Sequence, residues 1–246
     1  MKPSVRLLAD LPRIGVLGGM GPLATADFLA KLACATPAAC DQEHFPVTVD
    51  STPQIPDRVA ALEGRGADPL SALCAAADRL GAAGCSLIAM PCNTAHFWHA
   101  RLAAHAPLPL LHIVDAVEAE LAAVGTVGLL GTSATLDHGL YQRHARRTRA
   151  WVLPDAIEMD SLVGPGIAAV KAGDLATGGR LLRSAARKLA TRGAQTVVLA
   201  CTEIPLVVRA GDLVVPVIDA TAALARHTVA GARTLLANRV AERVAA

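Results

Sequence analysis

The chain has 246 residues, 53% hydrophobic, 18% charged and 2% aromatic, with a formal net charge of +2. This apolar content excludes intrinsic disorder, and a near-balanced charge with six aromatic residues excludes a broad nucleic-acid surface or base-stacking platform. No apolar run reaches the ~18 residues that span a bilayer, so no membrane partner is expected.

At the N-terminus, Asp10, Pro12 and Arg13 interrupt the segment that follows Lys2 and Arg6 and would otherwise read as a leader. The expected compartment is the cytoplasm, where the six cysteines are free thiols, ligands or catalysts rather than a disulfide framework. Strands are predicted at 13–18, 44–50, 85–90 and 109–113, and again at 125–130, 150–153, 195–200 and 214–218. Gly19-Met20-Gly21-Pro22-Leu23-Ala24 follows the first strand and formally matches a dinucleotide fingerprint. Pro22, however, removes an N–H where a phosphate needs donors. Further on, Asp68 reads as an N-cap and Pro69 as the first helical residue, with apolar spacing through Leu80 to a stop at Gly81 and Gly84. The basic run Arg143–Arg149 reads as a solvated helix face. Strand–helix alternation defines an α/β protein with parallel sheets.

Three landmarks recur in order. Ile14-Gly15-Val16-Leu17-Gly18-Gly19 resembles Val127-Gly128-Leu129-Leu130-Gly131-Thr132; Met90–Thr94 resembles Leu199–Glu203; His112–Asp115 resembles Pro216–Asp219. The offsets, 113, 109 and 104, are nearly constant. The repeat predicts two pseudo-symmetric Rossmann-like lobes, each with a four-stranded parallel sheet, facing one active-site cleft. A barrel of two half-barrels is the alternative.

Cys92 and Cys201 hold equivalent places, each just after an apolar strand and before a predicted helix. Open α/β sheets bind ligands beyond these strand ends, and a helix N-terminus there favours a thiolate. Asn93-Thr94 and Thr202-Glu203 add short polar side chains that can cap the helix or contact a ligand. Cys34, Cys40, Cys74 and Cys85 are expected to be ordinary buried thiols. Two equivalent thiols on opposing walls suit a racemase, which removes a proton from one face of a carbon and returns one to the other. Other chemistries are weaker. Cys92, His96 and His99 do not have zinc spacing, so no metal is expected. A Cys–His hydrolase would leave Cys201 without a role. A two-lobed binding protein also fits the repeat.

The chain resembles the aspartate/glutamate racemase family from about Ile14 to Thr221, most closely its aspartate racemase branch. The carriers are Gly18-Gly19-Met20-Gly21-Pro22, Pro53–Arg58, Pro91–His96, Gly139-Leu140-Tyr141, Lys171–Asp174, Cys201-Thr202-Glu203 and Val217-Ile218-Asp219. The resemblance implies a homodimer without pyridoxal phosphate or metal, acting on a small amino acid. Its C-terminal helix would return to the first lobe, dividing the chain into 1–115 plus 220–246 and 116–219. Cys92 and Cys201 would be the acid/base pair. Arg58 and Lys171, one of four lysines against nineteen arginines, would hold the substrate's distal carboxylate. Thr132 and Thr135 match threonines of the family pattern, Ser51 and Thr52 stand where relatives often have Asn and would contact the substrate, Met20 is a further candidate contact, and His138 replaces an expected Ser. Glu203 would tune the Cys201 thiol. Aspartate is the expected substrate; glutamate, a broader amino-acid range, or a non-racemase Cys-dependent reaction are the alternatives.

Overall fold

Strand β1 (Ile14–Gly18) is wholly buried, as expected of an uninterrupted apolar run covered on both faces. The computed structural model describes residues 11–121 and 125–245, and Lys2, Arg6 and Asp10 lie outside them. Parallel neighbours β2 (Val47–Ser51) and β3 (Leu87–Ala89) flank β1 in the order β2-β1-β3. The fourth strand expected at 109–113 is reduced to one bridge, Ile88 to Leu110. Ile88 N–H donates to the Pro109 carbonyl at 2.8 Å, and Leu111 N–H donates to the Ile88 carbonyl at 2.9 Å. Pro107 and Pro109 bring no N–H to lengthen that ladder, so the first sheet has three strands rather than four.

The second sheet has all four, β4 (Thr126–Gly131), β5 (Ala150–Val152), β6 (Thr196–Ala200) and β7 (Val217–Asp219), parallel in the order β5-β4-β6-β7. The repeat is therefore topological. β1 corresponds to β4, β2 to β5, β3 to β6, and the bridge at Leu110 to β7. These are two open sheets, which excludes the barrel.

Helices α1 (Pro22–Ala35), α2 (Arg58–Leu62), α3 (Leu70–Ala82) and α4 (His99–His105) accompany the first sheet. α5 (Ile113–Leu121) carries the chain to the second, which α6 (Ser133–Asp137), α7 (Leu140–His144), α8 (Ala156–Glu158), α9 (Gly164–Lys171) and α10 (Leu175–Thr191) accompany. α11 (Ala220–Ala245) packs on α1 and α5. α3 begins one residue later than expected, with Pro69 rather than Asp68 at the N-cap; the Asp68 carboxylate still accepts from Leu70 N–H at 2.9 Å and from the Trp98 indole at 2.7 Å. Among the described residues, no helix is long and apolar enough to cross a membrane.

One core layer serves both sheets. Ile14, Val16 and Leu87 meet Val127, Leu129 and Val198 there, closed over by Val117, Leu121, Leu224 and Val229 of α5 and α11. Outside it, α3 and α4 cover the other face of the first sheet through Leu73, Leu80 and Leu102. α9 and α10 cover the second through Val170, Leu182 and Leu189. Of the thiols outside the repeated pair, Cys85 is buried as expected, whereas Cys74 is half-buried and Cys34 and Cys40 are exposed. Both exposed thiols lie where the chain leaves the core, at the end of α1 and just before the turn at Asp41–Glu43.

Candidate active site

Cys201 directly follows β6, and Cys92 lies three residues beyond β3. Both are buried, and both line one narrow pocket of about 20 Å³ at the carboxyl ends of the two sheets. The first repeat contributes Met20, Arg58, Cys92, Asn93 and Thr94; the second contributes Thr132, Lys171, Cys201, Thr202 and Glu203. Ten of the residues singled out in the sequence thus line one pocket.

Local structure fixes several of them. Asp57 accepts a hydrogen bond from Ala60 N–H at 2.8 Å and so caps α2, which places Arg58 at its first residue. The Arg58 guanidinium donates through Nη1 to the carbonyls of Ile55 and Pro56, each at 3.0 Å, which holds the fork in place. Lys171 ends α9 ahead of the stop at Gly173, where the helix dipole favours a cation, and its chain also lines the pocket. Asp57 and Val59 line the pocket as well, though neither was singled out in the sequence; the adjacency of Asp57 to Arg58 was the available signal.

Three expected contacts do not reach the pocket wall. Ser51 pairs with Gly18 at the exposed end of β2. Thr52 donates to Asp50 at 2.5 Å and accepts from Arg79 at 3.2 Å, within an ion network on the sheet edge. Thr135 is fully buried one step behind the pocket, in a triangle of hydroxyls with Thr94 and Thr132. Its three sides are 3.0, 3.0 and 2.9 Å. Thr132 also caps α6, and His138 ends that helix with its ring edge-on to Phe97 at 5.8 Å.

No α-helix begins at either sulfur, so the expected dipole support is missing. Short 3-10 turns follow instead, at Thr94–Trp98 and Ile204–Leu206. Burial pushes both thiols above the ordinary cysteine range. Beyond burial the two differ. The Arg58 charge and a hydrogen bond from the Ala95 backbone pull Cys92 back down. Cys201 is driven well up by burial and then by Glu203, whose carboxylate accepts from the thiol at 3.0 Å.

His96 is buried and bridges two elements. Its Nδ1 lies 2.8 Å from the Cys92 carbonyl, and its Nε2 accepts from Ile113 N–H at 3.1 Å, so the proton sits on Nδ1. Burial lowers its pKa to about 3, which keeps it neutral. His112, Asp115 and His144 bring possible ligand atoms within 4.8 Å of one another. The His112 and His144 rings, however, stack at 3.9 Å and 2°, so their lone pairs lie in parallel planes that one ion cannot share. Gly19 of the fingerprint has no N–H to offer a phosphate, because it donates to the Thr25 hydroxyl at 2.8 Å.

A family profile described as Asp/Glu/Hydantoin racemase matches residues 17–228. The aspartate racemase of Picrophilus torridus superposes with a TM-score of 0.82 at 30% identity, covering 90% of this chain and 94% of that one. An aspartate racemase homologue from Pyrococcus horikoshii superposes at 0.71, with 26% identity over 91% and 100% of the two chains. A broad specificity amino-acid racemase of Bacillus subtilis is 27% identical over 223 residues, 88% of this chain and 96% of its own length. Two repeated parallel sheets joined at a strand-end pocket, with these matches, define an isomerase of the amino-acid racemase class. The chain belongs to the Asp/Glu/hydantoin racemase family.

Proposed function

We propose that the chain interconverts L- and D-aspartate by two-base proton transfer without a cofactor. The observation that carries the proposal is one thiol from each repeat lining a single pocket that two cations, Arg58 and Lys171, also line. Cys92, next to the Arg58 charge, is the easier of the two raised thiols to ionise and serves as the base; Cys201, hydrogen-bonded to Glu203, serves as the acid. The thiolate takes the Cα proton, and the C–H electron pair moves into the α-carboxylate as an enediolate. The opposite thiol then returns a proton to the other face, leaving thiol and thiolate exchanged for the reverse turnover. Arg58 grips the distal carboxylate as a fork and Lys171 adds a point charge. Burial of the pocket strengthens both interactions.

The observation favouring a broader reading is the broad-specificity relative of similar length. One methylene alters fit by only about 1–3 kcal/mol, so glutamate is the natural second substrate. The proposal includes a homodimer in the cytoplasm, with lobes 1–115 plus 220–246 and 116–219. The experiment incubates metal-free, pyridoxal-free protein with L-aspartate in deuterated water, with L-glutamate and neutral amino acids in parallel. D-aspartate carrying deuterium at Cα is expected. Inversion of the other amino acids at equal efficiency would replace aspartate by a broad range, and neither exchange nor inversion of any would sink the reading. Light scattering reads the dimer.

A further inference from the structure

Tyr141 is the single tyrosine of the chain. It lies on α7 in the second repeat, fully buried in the core layer shared by the two sheets. Its phenol donates to Asn93 Oδ1 at 2.5 Å, across to the residue that follows Cys92. Asn93 is itself 2% exposed and lines the pocket, and its Nδ2 is buried with no partner among the described residues. A buried amide NH2 left unpaired costs the full desolvation of that group, so such an arm marks a place where a ligand supplies the acceptor.

An asparagine amide has two nearly isosteric orientations, and only the hydrogen-bond network chooses between them. With Oδ1 turned to the pocket, a carbonyl would face an anionic substrate beside Arg58 and Lys171. With Oδ1 tied to a donor, the NH2 faces it. The Asn93 backbone offers no such choice, because its carbonyl already accepts from His96 N–H at 3.0 Å. We infer that Tyr141 is a positioning residue, which fixes the sense of the Asn93 amide so that its NH2 is presented to a substrate carboxylate. Burial holds the Tyr141 phenol far above its ordinary pKa, so it remains a donor at every working pH. The arrangement also makes the donor beside one thiol depend on a residue of the other repeat. This inference rests on the proposed anionic substrate, and its test does not require turnover.

Succinate, a dicarboxylate with no amine and no racemisable carbon, is titrated calorimetrically into the parent, Tyr141→Phe, Asn93→Ala and the double variant. Tyr141→Phe is expected to weaken succinate about fivefold and Asn93→Ala about tenfold, with the double variant no weaker than Asn93→Ala. Additive losses would make Tyr141 a merely structural residue and overturn the inference. Parent affinity in Tyr141→Phe, or no succinate binding by the parent, would overturn it as well. Asn93→Asp retains an acceptor for the phenol and turns a second oxygen to the pocket. It is expected to lose succinate binding by more than about tenfold, and parent affinity there would also refute the inference. Aspartate racemisation is followed separately. A parent that binds succinate but inverts no amino acid sinks the proposed activity and leaves the Tyr141 assignment standing.

Discussion

The Cys201 thiol and the Glu203 carboxylate form a pair whose electrostatics can be tested one atom at a time. Glu203 opposes ionisation of Cys201 by its charge and by accepting the thiol proton. Glu203→Gln removes the charge, so the Cys201 thiolate becomes easier to form and its pKa falls. The rising limb of kcat/KM, in the direction that uses Cys201 as base, should move to lower pH, while the limb for the opposite direction moves less. Initial rates from each enantiomer across pH read both limbs. Cys92→Ala and Cys201→Ala should each lose about 10²–10⁴-fold in racemisation, with one enantiomer's Cα exchange surviving in each variant. Racemisation at the parent rate by either would refute the two-base assignment. His96 makes a claim on stability instead. Its folded pKa is about 3 against an ordinary value near 6.5, so the unfolded chain takes up its proton first as pH falls. Stability from this group is full above about pH 6.5 and is lost as pH falls toward 3. His96→Gln should flatten the pH dependence of the urea midpoint in that interval by up to one proton. At this scale the paired cysteines were legible because a repeat phases them together. Thr52 was not, because its partner Arg79 lies 27 residues away.

Between α9 and α10 there is no room for a side chain at Gly178. A Cβ there would come within 2.5 Å of Val170 Cγ2 and 3.0 Å of the Gly166 carbonyl oxygen. Val170 is β-branched and stiff, and it directly precedes Lys171. Gly178→Val should therefore destabilise the protein by about 1–3 kcal/mol and displace the lysine, raising KM for aspartate more than it lowers kcat. Denaturant unfolding and steady-state rates check the two halves independently. The element order was readable because strand and helix periods alternate cleanly along the chain. The lost fourth strand was half-visible: Pro109 opened the predicted run and Pro107 preceded it, yet its apolar residues matched those of β7. The turns after the two cysteines misled for another reason. Pro205 and the short polar residues that open a helix equally suit one 3-10 turn.

The two repeats meet across a common interior rather than as separate globules, and the charges behind it follow that plan. Glu118 of α5 and Arg149, just before β5, form an ion pair at 2.9 Å with side chains 6% and 1% exposed. Arg146 likewise pairs with Asp115 at 2.7 Å. The basic run read as a solvated face is thus partly folded against the acidic side of α5. Glu118→Ala strands a buried guanidinium and should cost about 3–5 kcal/mol, whereas exposed Arg146→Ala should cost less than about 1 kcal/mol. Urea unfolding of the two variants makes the comparison. None of this was visible in the sequence, since apolar strands do not declare which layer they face and a basic run does not name its partners. The Thr94–Thr132–Thr135 triangle has a consequence at this scale. Three hydroxyls bring three protons to three mutual bonds; with Thr132 donating to Thr135, Thr135 donates to Thr94 and Thr94 to Thr132, so the ring closes with every proton used. Turning one proton outward to a substrate oxygen opens one side and leaves two. The repeats can therefore hand a donor to the ligand and stay fastened to each other by the same three oxygens.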